Sequence, residues 1–321
     1  MEINVLTTNP SGVLAKEEVI NNVNIKRFKS WAPNEAYYFS KDLRSYLKRF
    51  SSTFDVVHAH SYHAFPAYYA ALSKSTNKLI FTPHYHGTGH TYFRKILHVP
   101  YRFLGKRIFE KADKIICVSN YERQLVTKHF RVEEDKILVV PNGFNLEEFK
   151  YVRKNTKKRT LLYVGRLEKY KGVHHLIQAL PRLDSDIDLE IVGKGPYRDN
   201  LLKMASKMGL EQRVKFLHDL SREELLQEYV GASLFTLLSQ HEAYGICVGE
   251  ALASGTPCLV ANTSALSEWI DNKNCFGINQ PINSDELANS ILRIIGREVK
   301  DVKLPDWNEI VDKLAKLYEC L

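Results

Sequence analysis

The sequence predicts an α/β fold built from two doubly wound parallel sheets in tandem. Short apolar, β-rich runs alternate with longer helical patterns along the chain. A polar stretch, Lys150–Arg159, interrupts that alternation near the middle. A length of 321 residues is more than one core organises comfortably and suits two.

In the first half, strands are expected at Ile3–Thr7, Asp55–Ala59, Lys78–Thr82 and Lys114–Val118, and a short one at Lys136–Val140 closed by Pro141-Asn142-Gly143. Helices are expected at Ala64–Ser73, Ile96–Lys111 and Asn120–His129. Within Glu18–Phe28, the pair Asn21-Asn22 reads as a hairpin turn, because asparagine tolerates the left-handed backbone such turns need. In the second half the expected order begins with strand Thr160–Gly165, helix Val173–Leu183, strand Asp188–Val192, helix Pro196–Met208 and strand Val214–Leu217. Helix Arg222–Val230, strand Ala232–Leu238, helix Gly245–Ser254, strand Pro257–Ala261 and helix Asp285–Gly296 follow. This divides the chain into a first domain, 1–149, a second, 150–306, and a terminal helix, 307–321, expected to pack back on the first. Doubly wound sheets bind ligands outside their strand C-termini, so the site is expected in a cleft between the two sets of strand ends.

Composition is that of an ordinary globular protein, with 44% apolar and 26% charged residues. No apolar run reaches the ~18–20 residues of a membrane span, and MEINVLTTNP lacks the basic start and apolar core of a signal peptide. Cys117, Cys247, Cys258, Cys275 and Cys320 show no metal-ligand spacing and are expected as reduced thiols of a cytoplasmic protein. The net charge of +8 lies wholly in the first half: residues 1–150 hold 22 Lys/Arg against 14 Asp/Glu, and the remainder 23 of each. No helix-turn-helix, zinc finger or aromatic RNA-binding motif accompanies the charge, so nucleic acid is not the expected partner. An anionic membrane surface or acidic acceptor is, with scattered solvated lysines as the plainer alternative. Between Tyr92 and Lys111, six cations interleave with aromatics against Glu110 alone, a pattern that suits the inner face of a membrane.

The most specific stretch is Ser239–Pro257, SQHEAYGICVGEALASGTP. A strand ends near Leu238, a loop carries Glu242, and Gly245 opens a helix with Glu250 in its second turn. Free amides at Gly245, Ile246 and Cys247 make a partial positive charge suited to a diphosphate. Glu250 can accept from both hydroxyls of a ribose, and Glu242 can reach the sugar side of the diphosphate. Either glutamate alone reads equally well as an exposed acid near a helix start.

This stretch resembles the E-x7-E motif of the family-four retaining glycosyltransferases, group 1 type, whose GT-B architecture pairs two Rossmann-like domains. Tyr163-Val164-Gly165-Arg166-Leu167 with Lys171-Gly172 resembles the family's phosphate-binding strand and loop. Ile191-Val192-Gly193-Lys194-Gly195-Pro196 is similar to its glycine turn, and Val140-Pro141-Asn142-Gly143-Phe144 to its interdomain junction. The resemblance implies hexosyl transfer from a UDP- or GDP-linked sugar to a glycan or lipid-linked acceptor. Arg166 and Lys171, which follow a strand end and are spaced to converge on one anion, would stabilise the leaving diphosphate without a metal ion. Removing such a stabiliser typically costs ~10²–10³ in rate. By analogy the base lies near His218 and Leu220, and His84 beside the sugar and acceptor, with His86 and His90 acceptor-side or structural. The family's one-face mechanism, in which the leaving phosphate takes the acceptor's proton, calls for no side-chain nucleophile and no further cofactor.

The opening departs from the family: it resembles the second strand, with the first strand, glycine-rich loop and helix absent, and Gly12 is no substitute for that loop. A nonenzymatic or impaired sugar-nucleotide-binding protein, favoured by that departure, is one alternative, and among enzymes a GT-B epimerase is another. A metal hydrolase built on His58, His60, His63, His84, His86 and His90 is disfavoured, since few carboxylates lie nearby and His58 and His60 are expected on opposite faces of their strand. Asp184-Ser185-Asp186-Ile187-Asp188 mimics a metal motif but precedes a strand, as a solvated turn would.

Overall fold

The computed structural model describes residues 2–33, 37–87, 92–150 and 159–321, with the backbone alone for 92–100 and Lys150. His90, residues 151–158 of the expected linker and the side chains of Arg94 and Lys95 lie outside the described residues. The chain divides into two compact units, Met1–Val140 with Ala315–Leu321, and Pro141–Leu314. Each has its own apolar core.

The first unit opens with strands β1 (Asn4–Asn9), β2 (Glu17–Ile20) and β3 (Val23–Lys29), a sheet of order β1-β3-β2. β2 and β3 form the expected hairpin: Asn21 and Asn22 both adopt positive φ, 51° and 63°, the backbone of a type I′ turn. β1 then pairs with β3 in parallel. After helix α1 (Lys41–Phe50) come β4 (Val56–His60), α2 (Phe65–Leu72), β5 (Lys78–Thr82), α3 (Tyr92–Lys111), β6 (Lys114–Cys117), α4 (Asn120–Phe130) and β7 (Ile137–Val139). β4 to β7 form a separate four-stranded parallel sheet in sequence order. Two serine caps start its helices: Ser40 Oγ accepts from the Leu43 amide at 3.2 Å, and Ser119 Oγ from the Glu122 amide at 3.0 Å.

The second unit contains α5 (Glu147–Lys150), β8 (Arg159–Val164), α6 (Val173–Ala179), β9 (Ile187–Val192), α7 (Arg198–Lys207), β10 (Val214–Leu217) and α8 (Arg222–Gly231). β11 (Leu234–Leu237), α9 (Ile246–Ala253), β12 (Cys258–Ala261), β13 (Cys275–Ile278) and α10 (Ser284–Ile294) follow. Its six strands are all parallel, in the order β10-β9-β8-β11-β12-β13. This is a doubly wound sheet whose winding reverses between β8 and β11. Helices cover both faces, which is why its central strands read LLYV, LFTL and CLVA without polar alternation.

The boundary differs from the one expected at 149/150. Residues 141–149 belong to the second unit, because Phe144 is buried there: its ring lies 6.2 Å from that of Trp269 and its amide donates to Pro305 O at 2.9 Å. Helix α11 (Trp307–Glu319) begins in the second unit, and from Ala315 its residues group with the first. There Tyr318 Oη meets His58 Nδ1 at 2.7 Å.

Candidate functional site

In the second unit the loops after β8 and β11, neighbours at the reversal of winding, carry the expected charged residues. Such a point leaves a crevice outside the strand ends, because the connections depart to opposite faces. The loop after β8 is held by backbone: Leu167 N donates to Lys194 O at 2.8 Å, and Gln240 N to Tyr170 O at 2.9 Å. Gly193 makes the first of these approaches possible, since a Cβ there would lie 2.0 Å from Gly165 O.

These anchors bring Lys171 and Glu242, 71 residues apart, into an ion pair of 2.6 Å with both side chains 14% exposed. Burial opposes the Lys171 charge, but Glu242 outweighs it and its pKa lies above the ordinary lysine value. Arg166 stands on the same loop, and its Nε meets Glu168 Oε1 at 3.0 Å.

Gly245 precedes α9 with φ 91°, a left-handed conformation that turns the loop into the helix and that β-carbon residues resist. No side chain caps this start. Val248 N–H closes back on Gly245 O at 2.9 Å, leaving Ile246 and Cys247 in the uncapped first turn. Burial first, and then Glu242, pushes the Cys247 thiol up to about 12, so it stays neutral. Glu250, one turn on, accepts from Arg222 Nη1 at 2.6 Å and from Tyr229 Oη at 2.9 Å. Arg222 Nε also reaches Glu148 Oε2 at 2.9 Å.

His218 and Leu220 line an open recess of about 350 Å³ with Val164, Arg166, Gly193 and Lys194. At its rim Asp219 Oδ2 takes Lys194 Nζ at 2.5 Å and His218 Nδ1 at 3.1 Å. The Lys194 ammonium, then His218, holds the Asp219 carboxyl below the usual range.

In the first unit His84 follows β5 with φ 49°. Its ring lies 5.8 Å from that of His60, which stacks on His58 at 4.3 Å. The expectation that His58 and His60 face opposite ways is overturned: residues two apart on a strand share a face. Burial, then His60, lowers His84 to about 4, so its imidazole is neutral near pH 7. Among the described residues no group of three or more His, Cys, Asp or Glu is placed to hold a metal ion. In the 184–188 turn, Asp184 and Asp186 face Arg159 at 2.8 and 3.5 Å, while Asp188 is buried within β9. No described helix is long and apolar enough to cross a membrane. On α3, Arg102, Phe103, Lys106, Arg107 and Lys111 are exposed, with Phe103 at 74%.

Arg222, Tyr229 and Glu148 were not foreseen. No local pattern marks them, since Arg222 meets Glu250 across 28 residues and Glu148 across 74. Asp219 lies between His218 and Leu220, in the stretch expected to hold the base, and adopts a positive φ of 57°, which aspartate tolerates.

Known proteins resemble this chain in sequence and in fold. The Glycosyltransferase Family 4 pattern matches residues 1–148, and that of the glycosyl transferases group 1 matches residues 145–318. An uncharacterized glycosyltransferase of Methanocaldococcus jannaschii is 28% identical over 235 residues, covering 65% of this chain; the chain spans 60% of that relative's length. The fold is shared with sucrose-phosphate synthase from Thermosynechococcus elongatus, at TM-score 0.82 and 20% identity over 99% of this chain and 88% of that one. It is shared too with Anabaena HepE in complex with UDP-glucose, at TM-score 0.79 and 17% identity over 100% of both chains. With more than half its length matched by one family pattern and nearly all the rest by its companion, this chain belongs to the group 1 glycosyl transferases, of the family-four kind.

Proposed function

We propose that the protein transfers a hexosyl group, with retention of configuration, from a UDP- or GDP-linked sugar to a glycan or lipid-linked acceptor, without a metal ion. The observation that carries this reading is the Lys171–Glu242 pair beside the uncapped start of α9, with Glu250 one turn further on. In HepE, a neighbour of the same fold, the ligand is UDP-glucose.

The diphosphate would lie against the amides of Ile246 and Cys247, where the partial positive charge of the helix start favours an anion. Lys171 and Arg166 would exchange their carboxylate partners for phosphate oxygens as charge grows on the leaving group. Glu242, so released, would accept from hydroxyls of the transferred sugar, Glu250 from the ribose, and the recess at His218 and Leu220 would take the base. His84, neutral, has an N–H to donate toward the sugar or acceptor. As the bond from the anomeric carbon to the diphosphate oxygen breaks, the acceptor oxygen bonds to that carbon on the same face. The acceptor's proton passes to the departing phosphate oxygen. The exposed cations of α3 would bring the protein to the inner face of a membrane from the cytoplasm.

Calorimetric titration with UDP and GDP in EDTA tests the reading. Binding is expected in chelator, and R166A, K171A and E250A are each expected to weaken it about tenfold, the loss of one hydrogen bond to a charged group. Unchanged affinity in all three variants, or binding only with added metal, would overturn it.

A further inference from the structure

We infer that Arg222, braced by Glu148 and acting with Tyr229, orients the Glu250 carboxylate so that the site reads both ribose hydroxyls of the nucleoside. The inference rests on the assignment of Glu250 to the ribose made above.

An ionised carboxylate offers about four acceptor sites, two on each oxygen. Tyr229 Oη occupies one on Oε2 at 2.9 Å, and Arg222 Nη1 one on Oε1 at 2.6 Å. One site then remains on each oxygen, the number a vicinal diol needs for its two O–H donors. Tyr229 is fully buried, and burial holds its hydroxyl well above the ordinary pKa, so toward Glu250 it acts as a fixed donor. Arg222 is held from its other side as well. Its Nε donates to Glu148 Oε2 at 2.9 Å, and its guanidinium lies 5.9 Å from the Phe149 ring centre. A planar fork held at two nitrogens is preorganised, so it fixes the carboxylate with less loss of freedom than a single-point cation would. Without it, Glu250 would keep only the Tyr229 contact and turn about its last torsion. The positions left for the two hydroxyls would then no longer be fixed together.

Arg222 is thus a positioning residue, and its effect should be confined to the ribose. On the full chain, calorimetry compares UDP with 2′-deoxy-UDP, GDP with 2′-deoxy-GDP, and each diphosphate with its monophosphate. The wild-type protein is expected to prefer the ribonucleotide about tenfold, one hydrogen bond to a charged acceptor. E250Q is expected to lose that preference, R222Q and Y229F to lose most of it, and R222K, which keeps a cation but not the fork, to recover part. The diphosphate-over-monophosphate ratio is expected to stay unchanged in R222Q. If E250Q loses the preference while R222Q keeps it, Arg222 plays no part in reading the ribose and the inference fails alone. Tighter binding of UDP or GDP to R222Q would also overturn it, making Arg222 a competitor of the ribose. A preference that survives E250Q, or wild-type protein that binds neither diphosphate, would remove the ribose or donor assignment beneath it.

Discussion

The two units use the same alternation of short strands and helices but close their sheets differently. In the second, six parallel strands form one ladder, and every residue of β11 and β12 is buried. In the first, a three-stranded and a four-stranded sheet stand as separate ladders, and Ile3, Val5 and Ile20 keep 45%, 40% and 47% exposure. The consequence shows in how each unit holds its candidate residues. Lys171, Glu242 and Glu250 ride on loops and a helix fixed by the continuous sheet. His84 sits in a loop tied by side chains. Glu122, fully buried, accepts from the amides of Tyr85 and of Val118, the latter at 2.7 Å, and Tyr85 Oη meets His129 Nδ1 at 2.8 Å. A backbone ladder is insensitive to protonation; a net of half-buried histidines and a buried carboxylate is not.

The largest effect is expected at the Lys171–Glu242 pair. K171A and E242A should each lower donor-sugar hydrolysis or transfer by ~10²–10³, the usual cost of one stabilising group at a charge-developing centre. Each should also destabilise the second unit by about 3 kcal/mol, because a mostly buried charge loses its partner. The double variant K171M/E242M should regain much of that stability without regaining activity. Rate assays beside thermal melts separate the two. Single variants with wild-type rates would break the claim that the continuous sheet positions the donor chemistry.

A second prediction concerns the basic surface of α3. Tyr101, Ile108 and Phe109 are buried, while Phe103 projects at 74% exposure among Arg102, Lys106 and Arg107. Near anionic lipid each cation contributes about 1 kcal/mol, so replacing these three with glutamate should weaken vesicle binding roughly a hundredfold or more at low salt. Screening over ~8–10 Å should shrink the effect as salt rises. Flotation with phosphatidylserine and phosphatidylcholine vesicles checks it. Equal recovery with both, or none at low salt, would make α3 an ordinary solvated helix and shift the acceptor toward a soluble glycan.

Much of this architecture was legible because its signals are local. The strand runs of the second unit and the Asn21-Asn22 turn need only neighbouring residues to be read. Gly245 and Glu250 were legible for the same reason, since one helix start presents both. What escaped was short or long-range. β13 has four residues interrupted by Gly277, and β1 finds its parallel partner in β3, the far arm of the hairpin that follows it. Helix α1 was readable too, since Ser40 caps it and Leu43, Tyr46, Leu47 and Phe50 fall at helical spacing, yet it is not among the expected elements. The Lys171–Glu242 contact and the brace at Arg222 join segments tens of residues apart, so chemistry could nominate Lys171, Glu242 and Glu250 but neither the pairing nor Arg222, Tyr229 and Glu148. The facing of His58 and His60 was readable from the strand period of two and was misjudged.

The smallest effect, and the sharpest test of the contrast between the units, is in acid stability. Burial lowers His58 to about 3 and His84 to about 4, against 6.5 for the free side chain, and His60 and His129 are lowered too. Between those values the unfolded chain takes up protons that the folded chain refuses, so the contribution is full above about 6.5 and is lost as pH falls. Glu122 acts the other way. Burial raises it to about 7 from 4.5, so its contribution is present below 4.5 and lost as pH rises through 7. In the second unit His174, lowered to about 4, and His175, also lowered, stand against Glu228, raised to about 7, so part of the same loss is offset there. The first unit should therefore lose roughly 1–2 kcal/mol net between pH 7 and 5, which corresponds to a melting shift of roughly 2–8 °C. E122Q, which removes the opposing group, should steepen that dependence, and H84N should flatten it. Hydrogen exchange at pH 5 should open β4 and β5 before β8 and β11. If both sheets exchange together, or the melting temperature stays constant from pH 7 to 5, the first unit is not held by its titrating side chains. Its separate ladders would then be as self-sufficient as the continuous sheet of the second.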